Sequence, residues 1–238
     1  MILRPDRART VHGASVGILM LDTAFPRLPG DVGHAETWPF PVHYRVVRDA
    51  FPEAAVKTDA GNLKPAFIAA AKELVADGVD GLTTSCGFLS LLQADLQRAV
   101  PVPVAASSLM QLPLVSALLP EGRRPVVLTI SAESLTPAHL EAAGADPTTP
   151  IGGVDPEGAF AAPILGNRPK FDPESAAASL EAALDNLLRN SPDAGAVILE
   201  CTNMAPFARA LSDRCGLPVY SIYSFVTWFQ SGLKPRQF

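Results

Sequence analysis

A shift of 115 residues lays the second half of the chain on the first, with no gap from Cys86 to Val104. Cys86 falls on Cys201, Leu96 on Leu211, Pro103 on Pro218 and Val104 on Val219. Both copies read as an apolar strand, a cysteine at its C-terminal end, a short helix, a turn, and a Pro-Val pair opening a further strand. A match of this extent is the mark of an internal duplication. It restricts the chain to two copies of one supersecondary unit, packed about a pseudo-twofold axis.

The unit is α/β. Apolar runs at 16–21, 79–84, 102–105, 125–130, 196–199 and 217–220 read as strands. Helical spacing occupies 63–76, 88–99, 107–119 (disturbed at Pro113), 132–143, 173–189 (with Asp172 as N-cap) and 205–213. Strands that are apolar throughout, alternating with helices, indicate parallel sheets covered on both faces. We therefore expect two pseudo-symmetric Rossmann-like or flavodoxin-like halves with mainly parallel sheets. Residues 14–112 plus 215–238 would form the first half and 113–214 the second. Ligands bind such sheets beyond the C-terminal strand ends. Both cysteines lie there, so one active site between the halves is expected, with a thiol from each.

Bulk properties narrow the partners. The 238 residues carry a net charge of −5, which argues against nucleic acid, since phosphate tracking needs clustered Lys and Arg. The basic stretch 4–9 holds three arginines and reads as an N-terminal arm. No apolar run approaches the roughly 20 residues of a membrane helix, and no signal peptide is visible. A cytoplasmic protein is expected, without a membrane partner. Three cysteines cannot all pair, and a reducing compartment leaves them as thiols. Cys215 aligns with Val100 and reads as a structural thiol.

Cys86 and Cys201 each precede a helix, whose N–H groups and dipole favour thiolate and can also hold a carboxylate. Their neighbours Thr84, Ser85, Gly87, Thr202 and Asn203 are small and mostly hydrogen-bonding, where a core would prefer apolar residues. Two thiols flanking one carbon suit a two-base reaction: one removes a proton, the other returns one on the far face. Backbone N–H groups would stabilise the enediolate, and no metal or organic cofactor is required.

These residues resemble the aspartate/glutamate/hydantoin racemase superfamily from about Val16 to Phe229. The resemblance rests on Thr83-Thr84-Ser85-Cys86, on the strand and turn at 127–134, and on Glu200-Cys201-Thr202-Asn203. It implies two α/β halves clasping a small acid, with two cysteines as bases. It also implies substrate ligands at Thr129 and Ser131, matched by Asp22 and Thr23 in the first half. Amino-acid racemases of that group carry Cys-Asn-Thr and Cys-Thr-His, where this chain has Cys86-Gly87-Phe88 and Asn203. The differences point to a substrate other than free glutamate. Phe88 reads equally as facing a less polar substrate or as core.

The expectation is thus a cofactor-independent isomerase, a racemase or epimerase of a small carboxylate or hydantoin-like carbon acid. A cis–trans isomerase or decarboxylase on the same fold is the alternative within enzymes. A non-catalytic small-acid binding protein is the alternative outside them. The Gly/Pro-rich loop 23–41, including Leu28-Pro29-Gly30-Asp31-Val32-Gly33 and His34, reads as a lid or a tight surface turn. His12, His34, His43 and His139 lack metal-ligand spacing and read as surface or turn residues. Gly152-Gly153 lacks a nucleotide-binding context. The apolar stripe of Tyr220, Tyr223, Phe225, Trp228 and Phe229 reads as helix packing, or as the interface of a homo-oligomer.

Overall fold

The computed structural model describes residues 12–13, 15–57 and 60–237; the basic stretch 4–9 and residue 14 lie outside them. The first half runs β1 (Val16–Leu21), β2 (Val42–Val47), α1 (Pro52–Lys57), α2 (Lys64–Asp77), β3 (Gly81–Thr84), α3 (Gln93–Ala99), β4 (Val104–Ala105) and α4 (Leu112–Leu118). The second runs β5 (Arg124–Thr129), α5 (Pro137–Ala142), β6 (Ile151–Gly153), α6 (Ala161–Leu165), α7 (Pro173–Arg189), β7 (Ala194–Leu199), α8 (Ala208–Cys215), β8 (Val219–Tyr220) and α9 (Ile222–Leu233). The two four-stranded sheets have the orders β2-β1-β3-β4 and β6-β5-β7-β8, parallel throughout. The chain is an α/β protein of two like halves.

Every residue of β1 is buried, as a strand covered on both faces requires. α9 crosses back to the first sheet, where Ile222, Phe225 and Val226 pack on Val16, Ile18, Met20 and Ala105. The halves also interlock. Phe88 leaves the first half and sits in the core of the second, edge-on to His139 at 5.1 Å. Burying a phenyl ring stabilises by about 1.5–3 kcal/mol. Phe88 is therefore core, yet it also lines the cavity described below.

Some local expectations shift. The helix expected over 88–99 begins as a 3-10 turn, Gly87–Leu92, before α3. Its counterpart is Thr202–Phe207 before α8, with Pro206 inside. The helix expected from 132 starts only at Pro137, whose ring sets the first-turn geometry while Thr136 caps it. β2 and β6 escape a search for buried apolar runs, because β2 is only part-buried and β6 is three residues long; Gly152 and Gly153 lie in it. His139 corrects its reading as a surface or turn residue. It is buried, and its Nδ1 accepts the N–H of Thr136 at 3.2 Å. Burial lowers its pKa. Among the described residues no helix is long and apolar enough to cross a membrane, and no group of three or more His, Cys, Asp or Glu is placed to hold a metal ion.

Candidate functional site

Cys86 and Cys201 follow β3 and β7 at the same distance and cap the two 3-10 turns. Both line one cavity between the halves, with Thr23, Phe25, Arg27, Ser85, Gly87, Phe88, Ile130, Glu200 and Asn203 among its walls. It measures about 20 Å³, room for roughly one water. The site is closed.

Loop 22–41 supplies one wall through Thr23, Phe25 and Arg27. Arg27 Nη1 meets Asp31 Oδ1 at 2.9 Å, and Nη2 donates to Thr23 Oγ1 at 2.9 Å. The guanidinium lies 4.5 Å over the ring of Phe25. Asp31 is buried, and its Oδ2 accepts Asn203 Nδ2 at 2.6 Å from the other half. Asn203 Oδ1 in turn accepts the Cys201 thiol at 3.6 Å. Gly30 makes this path possible. Its φ is +96°, and a Cβ there would lie 3.2 Å from the Pro206 backbone. Thr23, Phe25 and Arg27 of this loop line the cavity, the placement that the lid reading requires.

The central group is Glu200, 1% exposed. Its Oε2 accepts the Thr129 hydroxyl at 2.7 Å, and the N–H groups of Ile130 and Phe88 also bind the carboxylate. It fits only because residue 87 is glycine: a Cβ there would lie 2.2 Å from Glu200 Oε1. Burial outweighs the three donors and pushes the carboxyl up to about 7.

The thiols differ from the expectation that helix N-termini make them thiolates. Burial, then the Glu200 charge, pushes Cys86 up to about 12 against the opposing N–H groups of Phe88 and Leu89. The same two causes raise Cys201. A turn of 3-10 helix supplies too few aligned dipoles to offset desolvation at a closed site. Three acidic groups thus share one cavity, and the first proton to leave belongs to Glu200.

The other sequence-derived site residues divide. Thr23, Ser85, Gly87 and Asn203 line the cavity. Asp22, Thr84, Thr129, Ser131 and Thr202 do not. Asp22 faces Arg48 at 3.5 Å. The Thr84 hydroxyl donates to Ala106 O at 2.7 Å, and that of Thr202 to Ser85 O at 2.8 Å. Thr129 is committed to Glu200, and Ser131 to Ser134 at 2.9 Å. Near the strand ends these hydroxyls are captured by backbone carbonyls (Thr84, Thr202) or by neighbouring side chains (Thr129, Ser131). Sequence reasoning passed over Arg27 and gave Glu200 no role. The available signal for Glu200 was an acid closing a strand that is otherwise apolar. Cys215 sits at the end of α8, away from the cavity.

No family model matches the chain. Among curated proteins it is 31% identical to dimethylsulfoniopropionate lyase 7 of Emiliania huxleyi (strain CCMP1516), over 92% of this chain and 67% of that one. It is 28% identical to the dimethylsulfoniopropionate lyase of Durusdinium sp. clade D, over 96% and 78%. Against lyase 3 of E. huxleyi identity is 31%, but the chain spans only 56% of that relative's length. Among solved structures it resembles a Gly74Cys mutant of arylmalonate decarboxylase (TM-score 0.62, 16% identity, 92% of each chain). Glutamate racemase from Francisella tularensis (0.55, 13%, 96% and 86%) and allantoin racemase from Pseudomonas fluorescens (0.53, 16%, 91% and 90%) are also similar. At such identities these structures show the fold.

The named relatives are lyases, and this overturns the expected racemase or epimerase and with it the isomerase class. The physical reason is simple. Removing a proton beside a carboxylate is common to racemisation and to elimination, and residues that serve as a base do not reveal what leaves afterwards. The chain belongs to the dimethylsulfoniopropionate lyase family, with a fold shared by arylmalonate decarboxylase and the glutamate and allantoin racemases.

Proposed function

We propose that the chain is a lyase that splits dimethylsulfoniopropionate into dimethyl sulfide and acrylate. The observation that carries this reading is the narrow cavity lined together by two thiols, one guanidinium and one carboxyl, in a chain of this family. The substrate is a small zwitterion with a carboxylate at one end and a sulfonium at the other. Arg27 keeps N–H donors beyond those given to Asp31 and Thr23, and anchors the carboxylate. A thiolate of the Cys86/Cys201 pair takes the proton from the carbon next to the carboxylate. The C–H electron pair becomes the new C=C bond, and the C–S pair departs on sulfur. Dimethyl sulfide leaves neutral, and the proton rests on cysteine until it passes to solvent.

Closure has two consequences in this scheme. Excluding water strengthens every charge interaction in the cavity. It also requires the 22–41 lid to open before substrate can bind. The test is direct: supply dimethylsulfoniopropionate, follow dimethyl sulfide by headspace gas chromatography and acrylate by NMR. Stoichiometric appearance of both supports the reading. Exchange of the carbon-bound proton in D₂O without either product would sink it.

A further inference from the structure

Glu200 is a buried carboxyl lining the cavity between two thiols, and every group that binds its oxygens is neutral: a hydroxyl and two backbone N–H groups. A carboxylate taken out of water is costly unless a cation meets it. Arg27, the guanidinium that shares the cavity walls, is held by Asp31 and Thr23. Gly87 is required to let the Glu200 oxygen reach this position.

We infer that Glu200 is the specificity-determining counter-charge for the onium end of the substrate, so that the site selects small carboxylates bearing a sulfonium or quaternary ammonium centre over neutral acids of the same shape. This deepens the lyase reading and rests on it for the identity of the reacting molecule. The charges lining the cavity are then one cation and one anion, matching a zwitterion. The onium group also has a second effect. The negative field of Glu200 is what, after burial, holds both thiols protonated. A fixed positive centre beside that carboxylate cancels the field and eases loss of a thiol proton. The base is thereby released only when the correct substrate is seated.

The groups facing Glu200 are the thiols of Cys86 and Cys201 and the guanidinium of Arg27. Asp31 lies behind Arg27, and His139 lies beneath Phe88. His139 is held neutral by burial, and the thiols titrate far above neutrality, so Glu200 alone changes charge near pH 7. Two probes of one shape separate charge from fit: 3-(trimethylammonio)propanoate and 4,4-dimethylpentanoate, which keeps the carboxylate and has carbon in place of the cationic nitrogen. Binding of both to wild type and to Glu200→Gln is measured by calorimetry at pH 8 and pH 5.5. Wild type at pH 8 is expected to prefer the ammonio acid by about tenfold or more, as for a desolvated charge pair. That preference falls at pH 5.5, below the carboxyl's pKa of about 7. In Glu200→Gln the ratio is near one at both values. A wild-type ratio near one, or a variant that keeps the preference, overturns the inference. Should the variant fail to fold, a wild-type preference unchanged between pH 8 and pH 5.5 overturns it equally. Release of dimethyl sulfide by the same wild-type preparation is scored separately. No release with the preference intact removes the lyase reading and leaves the onium site. Release without the preference does the reverse.

Discussion

At the position before its cysteine the first half carries Ser85 and the second carries Glu200, residues that coincide in the 115-residue register. Ser85 Oγ accepts the N–H of Leu21 at 2.8 Å and so fastens its own half together. Glu200 is bound by Thr129 of its own half and leans on Gly87 of the other. Two positions later the pair is Gly87 and Thr202. Thr202 donates across the interface to Ser85 O, and Gly87 makes room for Glu200. Loop 22–41, between β1 and β2, walls the site with Thr23, Phe25 and Arg27, whereas the matching β5–β6 connection carries α5 under Phe88. Duplication supplied the paired thiols. Divergence at these two neighbouring positions, and in the two connections, turned a symmetric clamp into a site with distinct walls.

The largest test of this contrast removes the shared element. Whichever of Cys86→Ser and Cys201→Ser removes the base is expected to lower dimethyl sulfide release by at least about 100-fold, the usual scale for a lost acid–base group. Equal, near-wild-type rates in either variant would take that thiol out of the chemistry. Next comes the glycine on which the asymmetry depends. Gly87→Ala forces a methyl against both the side chain and the backbone of Glu200. It should cost about 1–3 kcal/mol of stability in urea unfolding, while the same change at exposed Gly232, where the space is open, costs far less.

Asn203→Ala leaves buried Asp31 without its link to the second half. A loss of about 1–2 kcal/mol follows, with faster proteolytic cutting within 22–41 and a raised KM. An unchanged cutting rate would show that this link does not hold the lid. A last effect is a pH slope, gradual within any one pH unit. Glu200 has a folded pKa raised from 4.5 to about 7, so between those values the native state binds more protons than the unfolded chain. Its contribution therefore makes stability fall as pH rises from 5 to 7, by up to about 1.4 kcal/mol per unit. The difference between wild type and Glu200→Gln isolates it, and parallel profiles would remove the titration from Glu200.

The duplication, the parallel α/β character and the pairing of Cys86 with Cys201 were determined by the sequence alone. Apolar strand runs and an ungapped internal match are local or self-referential signals that survive without coordinates. What the hydroxyls do was not legible in the same way. A hydroxyl's direction at a strand end depends on which acceptor lies within reach, whether a carbonyl of a neighbouring segment for Thr84, the Glu200 carboxylate for Thr129 or a carbonyl of the other half for Thr202. Burial likewise decided the state of the thiols, since desolvation depends on everything packed around them and overrides the helix-end preference. Only the tertiary structure brought Arg27 and Asp31 from the lid to Asn203, a separation of 172 residues between Asp31 and Asn203, and only it placed Glu200 where a charge must be answered by a ligand.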